Sequence, residues 1–223
     1  IDYHIVLRER LQKLEQFIKE KEPRAITKSM VDTGELSDRA VAERAGLGFV
    51  GKNCSLITPE FGSFVFLGEI ITNLPFPPDQ PVEESCGTCN KCVEACPTGA
   101  LVQGGQLNAK KCLSYLTQTK GFLPDEYREV LGNRLYGMDT CQLVCPFNRD
   151  KNFYVHKEFE PDPELAMPPL KPLLKMSNRE FKEKFGKLSG SWRGKTPIQR
   201  NAIIALAHFK DETALDDLIE MMQ

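Results

Sequence analysis

The 223-residue sequence predicts an α+β fold in three parts: a sheet-containing N-terminal domain, a cysteine-rich module and a helical C-terminal segment. Three observations predict it. Before residue 75, amphipathic helical spacing gives way to segments rich in β-branched and aromatic residues. Between residues 86 and 146, seven of the eight cysteines crowd into one stretch that twice reads Cys-Pro. Beyond residue 177, helix-start signals precede apolar residues at helical spacing.

Each element has its own reason. Leu7, Leu11, Leu14 and Ile18 recur at helical spacing, which predicts a helix over about 5–21, stopped by Glu22-Pro23. Ile26 to Val31 reads as a short strand, and Asp32-Thr33-Gly34 as a turn. Ser37 caps a helix over Asp38–Ala45, ended by Gly46. Leu56–Thr58 and Ser63–Asn73 flank Pro59-Glu60-Phe61-Gly62 and read as a hairpin. Pro75, Pro77, Pro78 and Pro81 form a stiff linker. Asn108 caps a helix holding Cys112, and an insert over Thr117–Tyr136 separates the two halves of the cysteine region. A proline-rich passage runs to Pro172. Ser177-Asn178-Arg179-Glu180 is a capping box opening a basic helix. Thr196-Pro197 caps an apolar helix carrying Ile198, Ala202 and Leu206, and Asp211-Glu212-Thr213 turns into another. Two short antiparallel helices of this kind resemble one unit of a HEAT-like repeat.

Cys86, Cys89, Cys92 and Cys96 with Pro97 spell C-x2-C-x2-C-x3-C-P, the bacterial ferredoxin run. Three closely spaced thiolates can cap three irons of one [4Fe-4S] cube, while the cysteine before proline serves a second cluster. Cys141 and Cys145-Pro146 form a thinner second run, with Cys112 upstream. Zinc is the competing reading, but zinc sites use separated C-x2-C pairs, and this run offers too many thiolates for one tetrahedral ion. A disulfide framework fits poorly with 27% charged residues and no signal peptide.

No apolar run reaches the ~18–20 residues of a membrane span. The chain opens on Ile1 in helix-like sequence and closes in an amphipathic pattern at 218–223, so it reads as a fragment of a longer protein. Net charge is −2, unevenly spread. From Lys171 to Arg200, nine Lys/Arg face only Glu180 and Glu183, which makes the segment +7 and the remainder −9. That asymmetry fits either a polyanionic partner or a solvated helix face.

Ser29–Gly34, Ala42–Asn53, Cys96–Leu101, Thr140–Pro146 and Gly190–Gly194 closely resemble the epoxyqueuosine reductase family. The resemblance implies an iron–sulfur, cobalamin-dependent enzyme related in core to the reductive dehalogenases. Such an enzyme reduces epoxyqueuosine to queuosine at the wobble position of tRNA, with loss of water. Residues 1–82 would then be part of the cobalamin-binding catalytic domain and 83–150 a double [4Fe-4S] module. Residues 151–196 would be a basic linker and 197–223 the start of a HEAT-like repeat. A cytoplasmic monomer fed by a flavodoxin- or ferredoxin-type donor is expected. Two other functions stay open: a reductive dehalogenase acting on a small molecule, and a non-enzymatic electron-transfer subunit.

The same resemblance assigns residues. Asp32 matches the proton donor, although Asp-Thr-Gly alone would read as an Asx-turn. Cys86, Cys89, Cys92 and Cys145 would hold the first cluster, and Cys96, Cys112 and Cys141 the second. The family has a further cysteine three positions before Cys141, where this chain has Met138. Thr58, Gly62, Gln118, Met138, Asp139, Thr140 and Cys141 are candidates to touch the corrin, beside Asp32. Arg39, Arg179, Lys182, Trp192, Arg193, Lys195 and Arg200 are candidates for RNA. Cys54 reads as a free buried thiol, and His4, His156 and His208 as structural.

Overall fold

The computed structural model describes residues 1–151 and 156–222. Residues 152–155 of the expected basic linker, and Gln223 at the end of the last amphipathic segment, lie outside the described residues. The chain forms two compact units. One comprises Ile1–Ala95, Gln103–Gln106 and Cys141–Glu158; the other comprises Cys96–Val102, Leu107–Thr140 and Phe159–Gln223. The boundaries expected at 82 and 150 follow motifs, whereas compactness divides the cysteine run itself, at Cys96.

In the first unit, α1 (Tyr3–Lys21) starts two residues earlier than its apolar spacing suggests. Asp2 caps it, accepting from the His4 amide at 3.0 Å. β1 (Thr27–Met30) leads into the Asp32 turn. α2 (Asp38–Arg44) follows, and Gly46 ends it with φ of +72°, a conformation that favours glycine. β2 (Phe49–Val50), β3 (Leu56–Ile57) and β4 (Glu69–Thr72) complete the strands of this part.

The expected hairpin of 56–58 with 63–73 does not form. β3 pairs backward with β2, and β4 pairs antiparallel with β1, Thr27 facing Thr72 and Met30 facing Glu69. The reason is local. Thr58 and Gly62 close on each other through reciprocal backbone bonds of 2.8 and 3.0 Å, and Gly62 has φ of +66°. The ladder stops at that bridge. Phe64 and Phe66 beyond it are exposed rather than strand-paired.

Around the cysteines the elements are short: α3 (Lys91–Glu94), then the small hairpin β5 (Leu101–Gln103) and β6 (Gln106–Leu107). Asn108 opens only a 3-10 turn over Ala109–Lys111. Cys112 is therefore not inside a helix, but extended at the start of α4 (Leu113–Leu116). The insert contains α5 (Asp125–Leu131), and α6 (Thr140–Leu143) carries the second cysteine run.

The C-terminal helices are α7 (Pro163–Ala166), α8 (Leu170–Lys175), α9 (Asn178–Phe185), α10 (Lys195–Phe209) and α11 (Leu215–Glu220). The capping box at Ser177 and Glu180 is present. Thr196 is not a cap: α10 begins one residue earlier, after Gly194 at φ of +81°, and Pro197 sits buried in its first turn. Leu173, Leu174, Phe181, Phe185, Ala202 and Leu206 form the core of this region.

A second cluster, Leu113, Leu116, Leu123 and Leu131, is tied to α10 by two polar side chains. Asn201 is fully buried, and its Nδ2 donates to the carbonyls of Thr117 and Leu135, each at 2.8 Å. Its Oδ1 accepts from the Arg200 guanidinium at 2.9 Å. Arg200 also donates to the carbonyls of Leu116 at 2.8 Å, Thr119 at 2.7 Å and Gly121 at 3.0 Å. These bonds satisfy carbonyls left over where α4 ends. Asn201→Ala should therefore lower unfolding free energy by roughly 1–3 kcal/mol, because it leaves the Leu135 carbonyl and the Arg200 guanidinium each short of a partner while Arg200 still reaches Thr117 O at 3.3 Å. Denaturant titration checks this; a loss under about 1 kcal/mol would mean that water replaces the amide.

Candidate functional site

The first metal-ligand set is brought together within one unit. Cys86, Cys89, Cys92 and Cys145 line a cavity of about 30 Å³, beside Lys52, Ile57 and Phe147. The Cys89 amide bonds the Cys86 carbonyl at 3.0 Å, which curls the run, and Gly87 takes φ of +52° at the bend. Cys92 is buried on α3. Lys52 buttresses the loop: its amide donates to Cys86 Sγ at 3.4 Å, and its Nζ donates to Gly87 O and Asn90 Oδ1, each at 2.9 Å.

Cys145 arrives from 53 residues beyond Cys92, and a polar clamp holds it there. The Asn148 amide bonds Cys145 O at 3.0 Å. Asn148 Oδ1 accepts from the Ser63 amide at 2.7 Å, while its Nδ2 donates to Ser63 Oγ at 2.8 Å and Gln142 O at 2.7 Å. Ser63 Oγ in turn donates to Gln142 Oε1 at 2.8 Å. A Cβ on Gly62 would lie 2.1 Å from Asn148 Oδ1, so the glycine is required by close approach as well as by its φ.

Burial pushes the Cys92 thiol up; Cys86 and Cys145 add to the push, against backbone amides that lower it. Burial raises Cys145 too, with Cys86 and Cys89 as its charged neighbours. These thiols crowd one another, and binding a metal would release their protons. Among the described residues, no three His, Cys, Asp or Glu side chains converge as a single ion would need. The four cysteines line one pocket, and a [4Fe-4S] cube would take one thiolate per iron.

Cys96 and Cys112 belong to the second unit, and Cys141 to the first. Burial acts to raise Cys96, but amides of Leu101, Thr98 and Ala100 with the Thr98 hydroxyl outweigh it, and the thiol is lowered overall. The Ala100 amide donates to its sulfur at 3.2 Å. Met138 packs against the Leu113 cluster, and its thioether accepts the Thr140 amide at 3.2 Å. Cys54, expected to be buried, is only half-buried, in a turn where its φ is +63°.

Asp32 occupies a second site in the first unit. Its φ is +54°, and its amide donates to Asp38 Oδ2 at 2.8 Å. With Tyr3, Leu36, Asp38, Arg39 and Phe66 it lines a cavity of about 350 Å³. Tyr3 and Phe66 stack at 4.5 Å, nearly parallel, and make an aromatic wall. His4, read from sequence as structural, lies under this turn: its Nε2 is 3.5 Å from Asp32 Oδ2 and its Nδ1 2.8 Å from Asp2 Oδ1. The visible signal was Asp-Tyr-His at a helix start, which reads as an ordinary cap. Glu69 was missed as well. Burial, then the Asp38 charge, raises its carboxyl, and its Oε1 is sealed without a hydrogen bond. A larger cavity of about 790 Å³ in the second unit is lined by Phe122, Ile203, Ile204 and Met221 and holds no residue expected to do chemistry.

The remaining candidates are placed as follows. Thr58 and Gly62 spend their backbone groups on each other, and Gly62 leaves room for Asn148. Gln118 donates to Ser114 O at 2.8 Å and accepts from Trp192 Nε1 at 2.7 Å. Trp192 is exposed, with the Arg193 guanidinium 3.9 Å above its ring. Arg179 and Lys182 are exposed on α9, Arg179 paired with Glu183. Lys195 Nζ donates to Met176 O at 2.7 Å, and Arg39 to Cys54 O. Arg200 must be withdrawn from the RNA set. Its guanidinium is consumed by carbonyls, and burial lowers its basicity.

Comparison with known proteins now applies. Residues 85–148 match the family described as "4Fe-4S double cluster binding domain", so the chain carries such a domain. Residues 1–33 match "Epoxyqueuosine reductase QueG, DUF1730". The epoxyqueuosine reductase of Bacillus anthracis is 68% identical over 222 residues, covering 100% of this chain and 58% of that protein. The chain thus spans rather more than half the length of this relative. A crystal structure of epoxyqueuosine reductase with an epoxyqueuosine-modified tRNA-Tyr stem loop is 69% identical, with TM-score 0.97, over 100% of this chain and 59% of that one. A Bacillus subtilis structure, whose catalytic aspartate loop is swung out of the active site, is 68% identical with TM-score 0.96, over 100% and 59%.

Met138 gives the site its own test. Met138→Cys should raise bound iron, after anaerobic reconstitution, toward about eight per chain, the sum of two [4Fe-4S] clusters. Unchanged iron and electron-spin spectra would show that another ligand already completes the second cluster.

Proposed function

Because the chain belongs to the epoxyqueuosine reductase family, we propose that it takes part in reducing epoxyqueuosine to queuosine at the wobble position of tRNA. The observation that carries this reading is Asp32 beside an aromatic wall, in the unit that also gathers Cys86, Cys89, Cys92 and Cys145. The overall change breaks both epoxide C–O bonds, forms one C=C bond, and consumes two electrons and two protons as oxygen leaves as water. When bound, two [4Fe-4S] clusters and a corrinoid would supply the electrons. Cys86, Cys89, Cys92 and Cys145 would hold the first cluster; Cys96, Cys112 and Cys141 are assigned to the second by spacing and likeness.

The residues present fit an apolar macrocycle. Phe61, Phe64 and Phe66 are all exposed on the segment after the Thr58 turn, although large aromatics ordinarily seek cover. Thr58 and Gly62 would give that face its shape; Gln118, Met138, Asp139, Thr140 and Cys141 remain candidates by likeness. Asp32 serves as the proton donor to the opening epoxide oxygen, since a developing alkoxide needs an acid within reach. The catalytic aspartate loop of the Bacillus subtilis relative supports that role.

For tRNA, Trp192 and Arg193 offer a stacked aromatic and cation, a pair suited to an unstacked base and its phosphate. Arg179 and Lys182 add exposed charge in the same unit, Lys195 holds the backbone at Met176, and Arg39 is an exposed cation of the first unit. An external flavodoxin- or ferredoxin-type donor, action as a monomer, and a cytoplasmic setting complete the proposal. No helix among the described residues is long and apolar enough to cross a membrane.

Two measurements test it. Asp32→Asn in the full-length enzyme, with cofactors loaded and reduced, should slow single-turnover reduction by roughly a hundredfold or more, the range for a lost general acid. Near-normal rates would return Asp32 to a turn residue. Arg193→Ala should weaken tRNA binding and lower the salt slope by about one counterion's worth. A slope identical to the parent's would remove Arg193 from the interface.

A further inference from the structure

Resting on the reading of Asp32 as proton donor, we propose that His4 is its positioning partner: Asp2 fixes the His4 ring, and His4 Nε2 shares one proton with the Asp32 carboxyl. The geometry is a chain of three side chains. His4 Nδ1 lies 2.8 Å from Asp2 Oδ1, so Nδ1 carries a hydrogen and donates it. Asp2 is itself anchored, because the same oxygen caps α1 through the His4 amide at 3.0 Å. Tyr3 stacks on the imidazole at 4.2 Å and restrains its rotation. The ring has no freedom to point Nε2 elsewhere.

Nε2 is sealed from solvent and makes no hydrogen bond, yet an Asp32 oxygen stands 3.5 Å away. That distance is within ion-pair range and longer than a good hydrogen bond. Catalytic hydrogen bonds are often long before substrate closes the site. With Nδ1 committed as donor, a neutral ring would face the Asp32 carboxylate lone pair to lone pair. One proton between them removes the repulsion: it sits on Nε2 opposite a carboxylate, or on the carboxyl opposite a neutral imidazole. Either way the pair holds the proton that the reaction needs.

The step balances. Asp32 gives its proton to the oxygen freed as a C–O bond breaks, and electrons come from the low-potential donor of the reaction already proposed. Asp32 is then a carboxylate facing a neutral Nε2. That arrangement is unfavourable, and the pair takes one proton back from solvent. A second transfer supplies the second proton of the water lost. Exposure suits this cycle, since the Asp32 side chain is 60% accessible and His4 only 20%.

The surrounding charges are mixed. From the α1 side come Asp2, and Arg8, whose Nη2 reaches Thr33 Oγ1 at 3.5 Å. From α2 come Asp38, bonded to the Asp32 amide, and Arg39 on the cavity wall. From β4 comes Glu69, which faces Asp38.

His4→Gln preserves bulk and can donate at the Nε2 position, but it cannot carry a titrating proton. In full-length enzyme with cofactors loaded and reduced, it should slow single-turnover reduction by about tenfold or more on the alkaline side while KM stays put. It should also move the alkaline limb of the pH–rate profile to lower pH. Separately, in full-length protein before corrinoid is added, the His4 ring nitrogens and the Asp32 carboxyl carbon should titrate together as one coupled proton by NMR. Independent titrations, or a pH profile unchanged by His4→Gln while Asp32→Asn is slow, would overturn the proposal and leave Asp32 the donor. A normal rate for Asp32→Asn would instead remove the reading on which the proposal rests.

Discussion

Cys145 is held beside Cys86, Cys89 and Cys92 by the bonds of Asn148 to Ser63, made close against Gly62. The chain leaves this unit at Cys96 and, apart from Gln103–Gln106, returns only at Cys141, so the fourth thiol has no local reason to lie near the first three. Asn148 supplies the reason with three hydrogen bonds of 2.7–2.8 Å, made by both ends of its amide. Nearly every polar atom of the clamp is matched within it, which is how a buried polar network avoids a desolvation penalty. The T-shaped contact of Phe49 with Phe147, at 5.3 Å, adds an apolar edge beside it.

The same clamp shapes the Asp32 side of the unit. Gly62 must be glycine to admit Asn148, and the bridge with Thr58 ends the β2–β3 ladder there. The segment after the bridge therefore runs outside any strand, and Phe66 is left standing against Tyr3 rather than in a sheet. The cavity beside Asp32 is walled by a residue that strand pairing would have buried. The proposed cluster cysteines and the proposed acid at Asp32 are thus both approached by the short segment 58–66.

What the sequence disclosed, and what it withheld, divides along the same line. The cysteine spacing, the helices α1 and α9, the Asp32 turn and the capping box all depend on residues a few positions apart, and all were legible. The pairing of β4 with β1 was not, because the hydrophobic runs on either side of Pro59 look like natural hairpin partners. Nothing local shows that Gly62 is needed by Asn148, 86 residues later. His4 was dismissed for the same reason: its partner Asp32 is 28 residues away, and the Asp2 that orients it looks like a cap and nothing more. Thr196-Pro197 misled in the opposite sense. It carries the signature of a helix start, yet Gly194 in a left-handed conformation had already turned the chain.

Charge shows most clearly why counting is not placement. The stretch 171–200 holds nine cations against two acids, but its partners are drawn from elsewhere in the second unit. Lys175 is held by Asp217 at 2.9 Å and Glu220 at 2.6 Å, and Lys184 lies 3.6 Å from Glu164. Lys171 donates to Thr213, Lys195 to a backbone carbonyl, and Arg200 to several. Arg179 spends much of its charge on Glu183. Lys171, Lys195 and Arg200 keep their charge, because a neutral carbonyl does not cancel it, while Lys182, Lys187 and Arg193 are exposed cations outside the acid pairs just named. A diffuse +7 would attract any polyanion without regard to shape. Arg193 stacked over Trp192, while that indole is held by Gln118, gives the surface one directional feature. Pinning matters because an indole held at its N–H loses less freedom when a base stacks on it. Within the proposed tRNA reading, the residue count accounts for attraction and the Trp192–Arg193 arrangement for a fixed point of contact.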